Sequence, residues 1–178
     1  LASLGLHELP LSRPPRVGVI TTGSELTRPG SPLAPGRIYE SNSYSLAAQL
    51  RDCGAAPVPL AAVADREEET ARAIAAGLAS CDALILSGGV SAGDFDFVPA
   101  AMERAGAVLH FRRIAVQPGM PTVFASRDGR PLFGLPGNPV STFVIFEVFI
   151  RPLLSRWLGH AYRPLVMPAL LAAGFRRT

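Results

Sequence analysis

The chain contains no lysine. All seventeen of its cationic side chains are arginines, set against fourteen carboxylates for a net charge of +3. No basic run with interleaved aromatics occurs, which argues against a nucleic-acid partner. Cysteine is scarce. Cys53 and Cys81 stand alone without CxxC spacing, which argues against a zinc centre and against a disulfide framework. His7, His110 and His160 show no ligand spacing, and no Ser-His-Asp order stands out. Long apolar runs are missing as well. The longest, over 144–150, is interrupted by Glu147, and no N-terminal signal precedes it, so no membrane partner is predicted and the expected compartment is the cytoplasm. The usual nucleotide fingerprints, Walker A and GxGxxG, are absent too.

What is present is a glycine-rich α/β pattern. At 178 residues and 48% hydrophobic composition the chain is long enough for one domain with a substantial core. Its organising stretch runs from Leu84 through Ser87-Gly88-Gly89-Val90-Ser91-Ala92-Gly93-Asp94-Phe95-Asp96. An apolar run reads as a short buried strand, then breaks into a loop with three glycines, and a helical stretch follows. Glycines allow positive φ and close approach, so such a loop can aim backbone N–H groups at an anion beside a helix N-terminus. The neighbouring carboxylates would repel a bare phosphate. They make sense if a hard cation such as Mg²⁺ sits between.

Taken in order, residues 16–22 read as a buried strand ending in Thr22-Gly23-Ser24-Glu25, and 28–37 as a Pro/Gly loop. Ser41-Asn42-Ser43 supplies cap chemistry for a helix that closes at Gly54. A ragged strand is expected over 58–63, then Asp65, then a helix to about Ala79 with Glu67, Glu68 and Glu69 in its first turn. After the organising strand comes a helix over 98–105. A strand over 108–116 follows, carrying Arg112 and Arg113, and then a turn at Gln117-Pro118-Gly119-Met120-Pro121. A hairpin folds around Arg127-Asp128-Gly129, and Leu135-Pro136-Gly137-Asn138-Pro139 opens a long helix, over 140–158, that Pro152 should kink. From Tyr162 the pattern is short and proline-broken. The start at Leu1 and the end at Thr178 predict a piece of something longer.

Strand–helix–strand repetition argues for an α/β domain whose mostly parallel sheet is covered on both faces, with ligands at the carboxyl ends of the strands. Three loops (22–25, 87–96 and 135–141) and Asp65 fall at such ends. Each feature also has a plain structural reading. A glycine loop is more often only a tight turn, Asp65 is as good an N-cap as a ligand contact, Glu25 reads as a solvated carboxylate, and Arg112 and Arg113 read as a surface pair.

Five motifs in this order carry a resemblance. Thr22-Gly23-Ser24-Glu25-Leu26, Ile38-Tyr39-Glu40-Ser41-Asn42, Ser87-Gly88-Gly89-Val90-Ser91-Ala92-Gly93, Gln117-Pro118-Gly119 and Gly134-Leu135-Pro136-Gly137-Asn138-Pro139-Val140-Ser141 resemble the successive motifs of the MoeA family of molybdopterin molybdotransferases, shared with the gephyrin E domain. The resemblance implies a MoaB/Mog-like three-layer α/β/α domain over 16–160. Before it, 1–15 would be a linker from an upstream domain, and 161–178 would begin a truncated C-terminal β-rich domain. The implied activity is Mg²⁺-dependent insertion of molybdate into adenylylated molybdopterin, with release of AMP, during molybdenum cofactor synthesis. The implied partners are a second copy in a homodimer, molybdopterin-AMP and the molybdopterin adenylyltransferase.

The resemblance places Glu25, Asp65, Asp96 and Arg113 as catalytic, with Asp65, Asp96 and Glu25 toward the metal. It places Thr22, Gly23, Ser24, Asn42, Ser87, Gly88, Gly89, Ser91, Gly93, Pro118, Gly119, Pro136, Gly137, Asn138, Pro139 and Ser141 against the substrate. This chain departs from the family pattern at Gln117 and Met120, where relatives commonly carry lysines, and at Ser24, where many carry aspartate. Without those two cations the turn should hold an oxyanion less strongly. Two alternatives therefore accompany the enzyme reading: a non-catalytic molybdopterin-binding or scaffold module, and an adenylyltransferase of the MoaB/Mog type.

Overall fold

The computed structural model describes residues 1–90, 96–170 and 172–174. A 3-10 turn at Ala2–Leu4 opens an exposed N-terminal tail. Strand β1, Arg16–Thr21, is buried from its second residue on, as its β-branched run predicts. A two-residue pair follows, β2 at Leu26–Thr27 and β3 at Ile38–Tyr39, on either side of the Pro/Gly loop. Helix α1 spans Asn42–Asp52, β4 Ala56–Pro59, α2 Glu67–Leu78 and β5 Ala83–Ser87. Helix α3 spans Val98–Arg104, β6 Val108–Phe111, β7 Val123–Arg127 and β8 Arg130–Leu135. The chain then enters α4, Pro139–Ile145, and α5, Arg151–Trp157, joined by a π-helical turn at Phe146–Ile150.

Six strands form one sheet in the order β4-β1-β5-β8-β7-β6. The β1–β4, β1–β5 and β5–β8 pairs are parallel, and β7 runs antiparallel to both β8 and β6. Alternate side chains feed opposite faces, so two cores form. Ile20, Leu84, Leu86 and Leu132 pack with Ile74 and Leu78 of α2 and with Met102 of α3. Val19, Ile85, Phe133 and Leu135 pack with Leu46 and Leu50 of α1 and with Ile145, Phe146 and Leu154 along the last helical run. This is the three-layer α/β/α architecture that the strand–helix alternation predicts. Close approach of α2 depends on two glycines, because a Cβ on Gly18 or on Gly77 would fall 2.9 Å or less from Leu84 and Leu60 methyls.

Three expected elements differ from the observed ones. The strand expected over 58–63 is β4, four residues long and ending at Pro59. Beyond it the chain stays beside β1 only through Leu60 N and Val63 N, which donate to Val19 O and Thr21 O, and a lone Thr22–Val63 bridge. The strand expected over 108–116 stops at Phe111, where the β6–β7 register slips. Ile114 N instead donates to Met120 O and closes a turn, so Arg112 and Arg113 stand beyond the strand. The kink expected at Pro152 appears as the π-helical turn immediately before α5, a wider winding that accommodates a residue with no N–H. Glu147 in that turn accepts from Gln49 Nε2 of α1 at 2.7 Å and from Arg151 at 2.5 and 3.0 Å.

The N-terminal tail is fastened near its end, where Ala56 N donates to Pro15 O at 2.9 Å. Arg13 donates both guanidinium nitrogens to the Asp82 carboxylate at 2.6 Å, and Arg16 N donates to the same group at 2.7 Å. The Arg13 hydrogen bonds hold that carboxyl below the usual range, against a smaller opposing effect of burial. Residues 161–170 are exposed without regular secondary structure. Both cysteines are free thiols. Among the described residues no helix is long and apolar enough to cross a membrane.

Candidate functional site

The parallel strands β1, β5 and β8 finish level with one another, since Thr21 pairs with Ser87 and Ser87 with Leu135. The ladder then runs one residue further. Thr22 N donates to Ser87 O at 2.9 Å and Gly88 N to Leu135 O at 3.0 Å. A cleft of about 660 Å³ opens beyond these ends. Twelve of the residues expected at the site line it: Thr22, Gly23, Ser24, Glu25, Asn42, Asp65, Ser87, Gly88, Gly89, Gly137, Asn138 and Pro139.

Glycine at 88 is a steric requirement. Its φ is +101°, and a Cβ there would lie 2.5 Å from Thr22 O and 2.7 Å from Thr22 Oγ1. Gly89, at φ +65°, is pressed on Phe97 and Val98, with a would-be Cβ 2.7 and 2.8 Å from them. The cleft floor at 88–89 is therefore bare backbone, carried on the end of β5.

Asn42 lines the cleft and also braces it. It is buried at the start of α1, and its Nδ2 donates to Ser87 Oγ and to Gly137 O, both at 2.8 Å. The carbonyl of Gly137 fixes which end of the amide is the nitrogen. One side chain thus braces two of the three junctions. Its Oδ1 and the Thr22 Oγ1, both buried, have no hydrogen-bond partner among the described residues. The helix cap expected from Ser41, Asn42 and Ser43 comes instead from Glu40, which accepts from Ser43 N at 2.8 Å and from Ser43 Oγ.

Asn138 is likewise engaged. Its Oδ1 accepts from Val140 N at 3.0 Å and Ser141 N at 3.2 Å, which caps α4 behind Pro139. Pro136 and Ser141 are buried and lie outside the cleft lining. The Pro136 carbonyl accepts from Thr142 Oγ1 at 2.5 Å.

The acidic wall of the cleft is made by Asp65 and Glu25. Asp65 does not cap α2, whose N-cap is Arg66. Its Oδ2 accepts from Ser24 N at 2.8 Å and so pins the 22–25 loop. The Glu25 carboxylate folds back over Gly23, where a Cβ would be 2.9 Å from Oε2. Two carboxylates on one wall, with hydroxyls nearby, are a hard-oxygen donor set of the kind Mg²⁺ shares with a ligand's phosphates. Among the described residues no group of three His, Cys, Asp or Glu side chains gathers to hold a metal without such a ligand.

The remaining expected residues sit further along the same sheet edge. β6 runs parallel to β8, so the 112–122 turn leaves the sheet on the cleft side, displaced by one to two strand spacings, roughly 5–10 Å. Arg113, Pro118 and Gly119 belong to this turn and do not line the cleft. Gly119, at φ +121°, lies so close over Ile145 that a Cβ would be 2.4 Å from its Cδ1, and its carbonyl accepts from Thr122 Oγ1 at 2.6 Å. Asp96 is exposed at the foot of α3, also outside the cleft lining. Partial burial raises its carboxyl above the usual range, and the charges of Arg112 and Arg113 oppose that rise. Ser91 and Gly93 lie outside the described residues.

Sequence reasoning missed the wall formed by Leu26, Ile38, Tyr39, Glu40 and Phe97. β2 and β3 are two residues each, too short for any periodicity to register.

With this geometry in place, comparison with known proteins is direct. Residues 18–156 match the family model described as "Probable molybdopterin binding domain". The chain is 41% identical over 158 residues to the molybdopterin molybdenumtransferase of Bacillus subtilis, covering 89% of this chain and 37% of that protein. It is 47% identical over 170 residues to molybdopterin molybdenumtransferase 2 of Mycobacterium tuberculosis, covering 92% of this chain and 42% of that protein. A solved structure of a MoeA molybdopterin biosynthesis protein from Pyrococcus superposes with a TM-score of 0.75 at 34% identity, over 82% of this chain and 36% of that one. The chain thus spans about two-fifths of the length of these relatives. By its fold, its five ordered motifs and these matches, the chain belongs to the molybdopterin-binding domain family, in its MoeA line.

Proposed function

We propose that the chain serves molybdenum cofactor synthesis by holding adenylylated molybdopterin at the ends of β1, β5 and β8 while molybdate is inserted and AMP leaves. The observation that carries this reading is the bare backbone floor at Gly88 and Gly89, in a cleft with carboxylates on one wall. Side-chain-free backbone admits a bulky anionic ligand closely, and a phosphate-bearing one is compatible with acidic neighbours when a divalent cation stands between. Asp65 and Glu25 would hold Mg²⁺ there, and Asp96 would approach it from the segment just before α3. The ion supplies charge neutralisation of phosphoanhydride oxygens. Asn42 keeps the two glycine junctions at fixed spacing, so the floor is formed before the ligand arrives. Arg113 would place fixed positive charge at the far end of the same edge, where an oxyanion such as molybdate would meet it.

The test is AMP release from molybdopterin-AMP, followed chromatographically. The reading expects release that needs both molybdate and Mg²⁺ and is lost in Asp65→Asn. Tight binding without release would favour the scaffold reading, and a requirement for ATP would favour the adenylyltransferase reading.

A further inference from the structure

The loop over 28–37 is fully exposed, yet its two ends are built alike. Ser31 N donates to Arg28 O across Pro29-Gly30, and Arg37 N donates to Ala34 O across Pro35-Gly36. Gly30 has φ +90° and Gly36 φ +74°. Proline followed by a positive-φ glycine is the type II pattern. The second turn delivers Arg37 to the edge of the cleft, where its guanidinium forks. One terminal nitrogen donates to Ser24 O, the other donates to Leu26 O at 2.8 Å, and Nε reaches Thr27 Oγ1 at 3.4 Å. The residue between the two carbonyls is Glu25. Its own carbonyl accepts from Ile38 N at 3.0 Å. Three consecutive carbonyls, 24 to 26, are thus held from residues 37 and 38, while Ser24 N is held by Asp65.

We infer that Arg37 is a positioning residue for Glu25: its planar fork fixes the backbone on both sides of that carboxylate and so sets where the acidic wall stands in the cleft. The inference rests on the cleft being the nucleotide site. Lysine could not replace the fork, since an ammonium is a point donor without the guanidinium's fixed planar geometry. Arg37 is itself exposed and outside the cleft lining, so it acts through the loop and not on a ligand.

Two measurements on the full chain test this. The first is amide hydrogen exchange without ligand. Arg37→Ala and Arg37→Lys should each speed exchange over 24–27 by about tenfold, with α1 and β5 unchanged. Unchanged exchange over 24–27 overturns the inference whatever the cleft binds. The second is calorimetric AMP binding with and without Mg²⁺. Arg37→Ala should weaken the Mg²⁺-dependent affinity by about tenfold, as losing a charged hydrogen-bond pair would. In a Glu25→Gln background the same change should add nothing. Independent, multiplying losses would show that Arg37 does not act through Glu25. If the wild type binds no AMP at all, the nucleotide reading of the cleft fails, and the exchange result still decides the role of Arg37 in placing the loop.

Discussion

Two stretches on one sheet edge are made of the same materials and do different things with them. At the ends of β1, β5 and β8, glycines and prolines leave the backbone open to a cleft, and the side chains beneath brace it. In the 112–122 turn the glycine is folded inward, with Gly119 against Ile145 and the Thr122 hydroxyl on its carbonyl. The first stretch sits where three parallel strands end level, so loops converge on a shared space. The second joins two antiparallel neighbours further out, so it closes on itself, with Gly119 buried and Arg112 and Arg113 among its exposed residues. Position in the sheet, more than composition, decides which glycine loop becomes a cleft.

The largest break in this comparison should come from adding one methyl group to each stretch. Gly88→Ala puts carbon against the Thr22 backbone at positive φ, with no flexible atom to yield. A loss of about 3 kcal/mol is expected in urea unfolding. Gly119→Ala, also at positive φ, meets side-chain atoms of Ile145 and no backbone closer than 3.9 Å, and should cost less, about 1–2 kcal/mol.

Asn42→Ala removes the brace and leaves Ser87 Oγ and Gly137 O without their donor. It should cost about 2 kcal/mol by the same measurement and weaken AMP binding as well. Asn42→Asp tests the brace more finely: it keeps the shape but cannot donate to Gly137 O, and should behave like the alanine variant.

A smaller effect is expected behind the cleft, where α1 meets the π-helical turn. The Arg151 guanidinium holds the Glu147 carboxyl below its usual range, with burial opposing and the Gln49 amide assisting. A depressed folded-state value means the contribution is present above the unfolded carboxylate range and lost as pH falls through the folded one. The melting temperature of the wild type should therefore fall on acidification from about pH 5 to pH 3, and Glu147→Gln should flatten that limb. The smallest effect belongs to the outer turn. Arg113→Ala should change stability by less than about 0.5 kcal/mol and leave AMP affinity unaltered, while reducing the molybdate dependence of AMP release.

Much of the fold was legible because its signals are local and strong. The buried runs of β1 and β5, the acidic first turn of α2 and the Arg127-Asp128-Gly129 hairpin all stand where the sequence places them. The convergence of the glycine junctions followed from strand–helix alternation alone. The errors came where a long-range partner overrode local chemistry. Asn42 reads as cap material, but Ser87 and Gly137, 45 and 95 residues away, claim its amide, and Glu40 takes over the cap. Asp65 left cap and ligand contact equally open; its carboxylate accepts from Ser24 N, in the loop after β1, 41 residues away. The run over 108–116 looks like one strand, but its β7 partner slips register after Leu109. The β2–β3 ribbon left no trace because two residues carry no period.

The central claim is that the bare backbone at the ends of β1, β5 and β8 receives the phosphate-bearing ligand. Amide chemical-shift mapping of the ¹⁵N-labelled chain during titration with AMP and Mg²⁺ tests it most directly. The account predicts the largest shifts at Gly23, Ser24, Gly88, Gly89 and Gly137, with Gly119 and Gly129 unmoved. Shifts centred on the 112–122 turn, with the five cleft amides still, would contradict it.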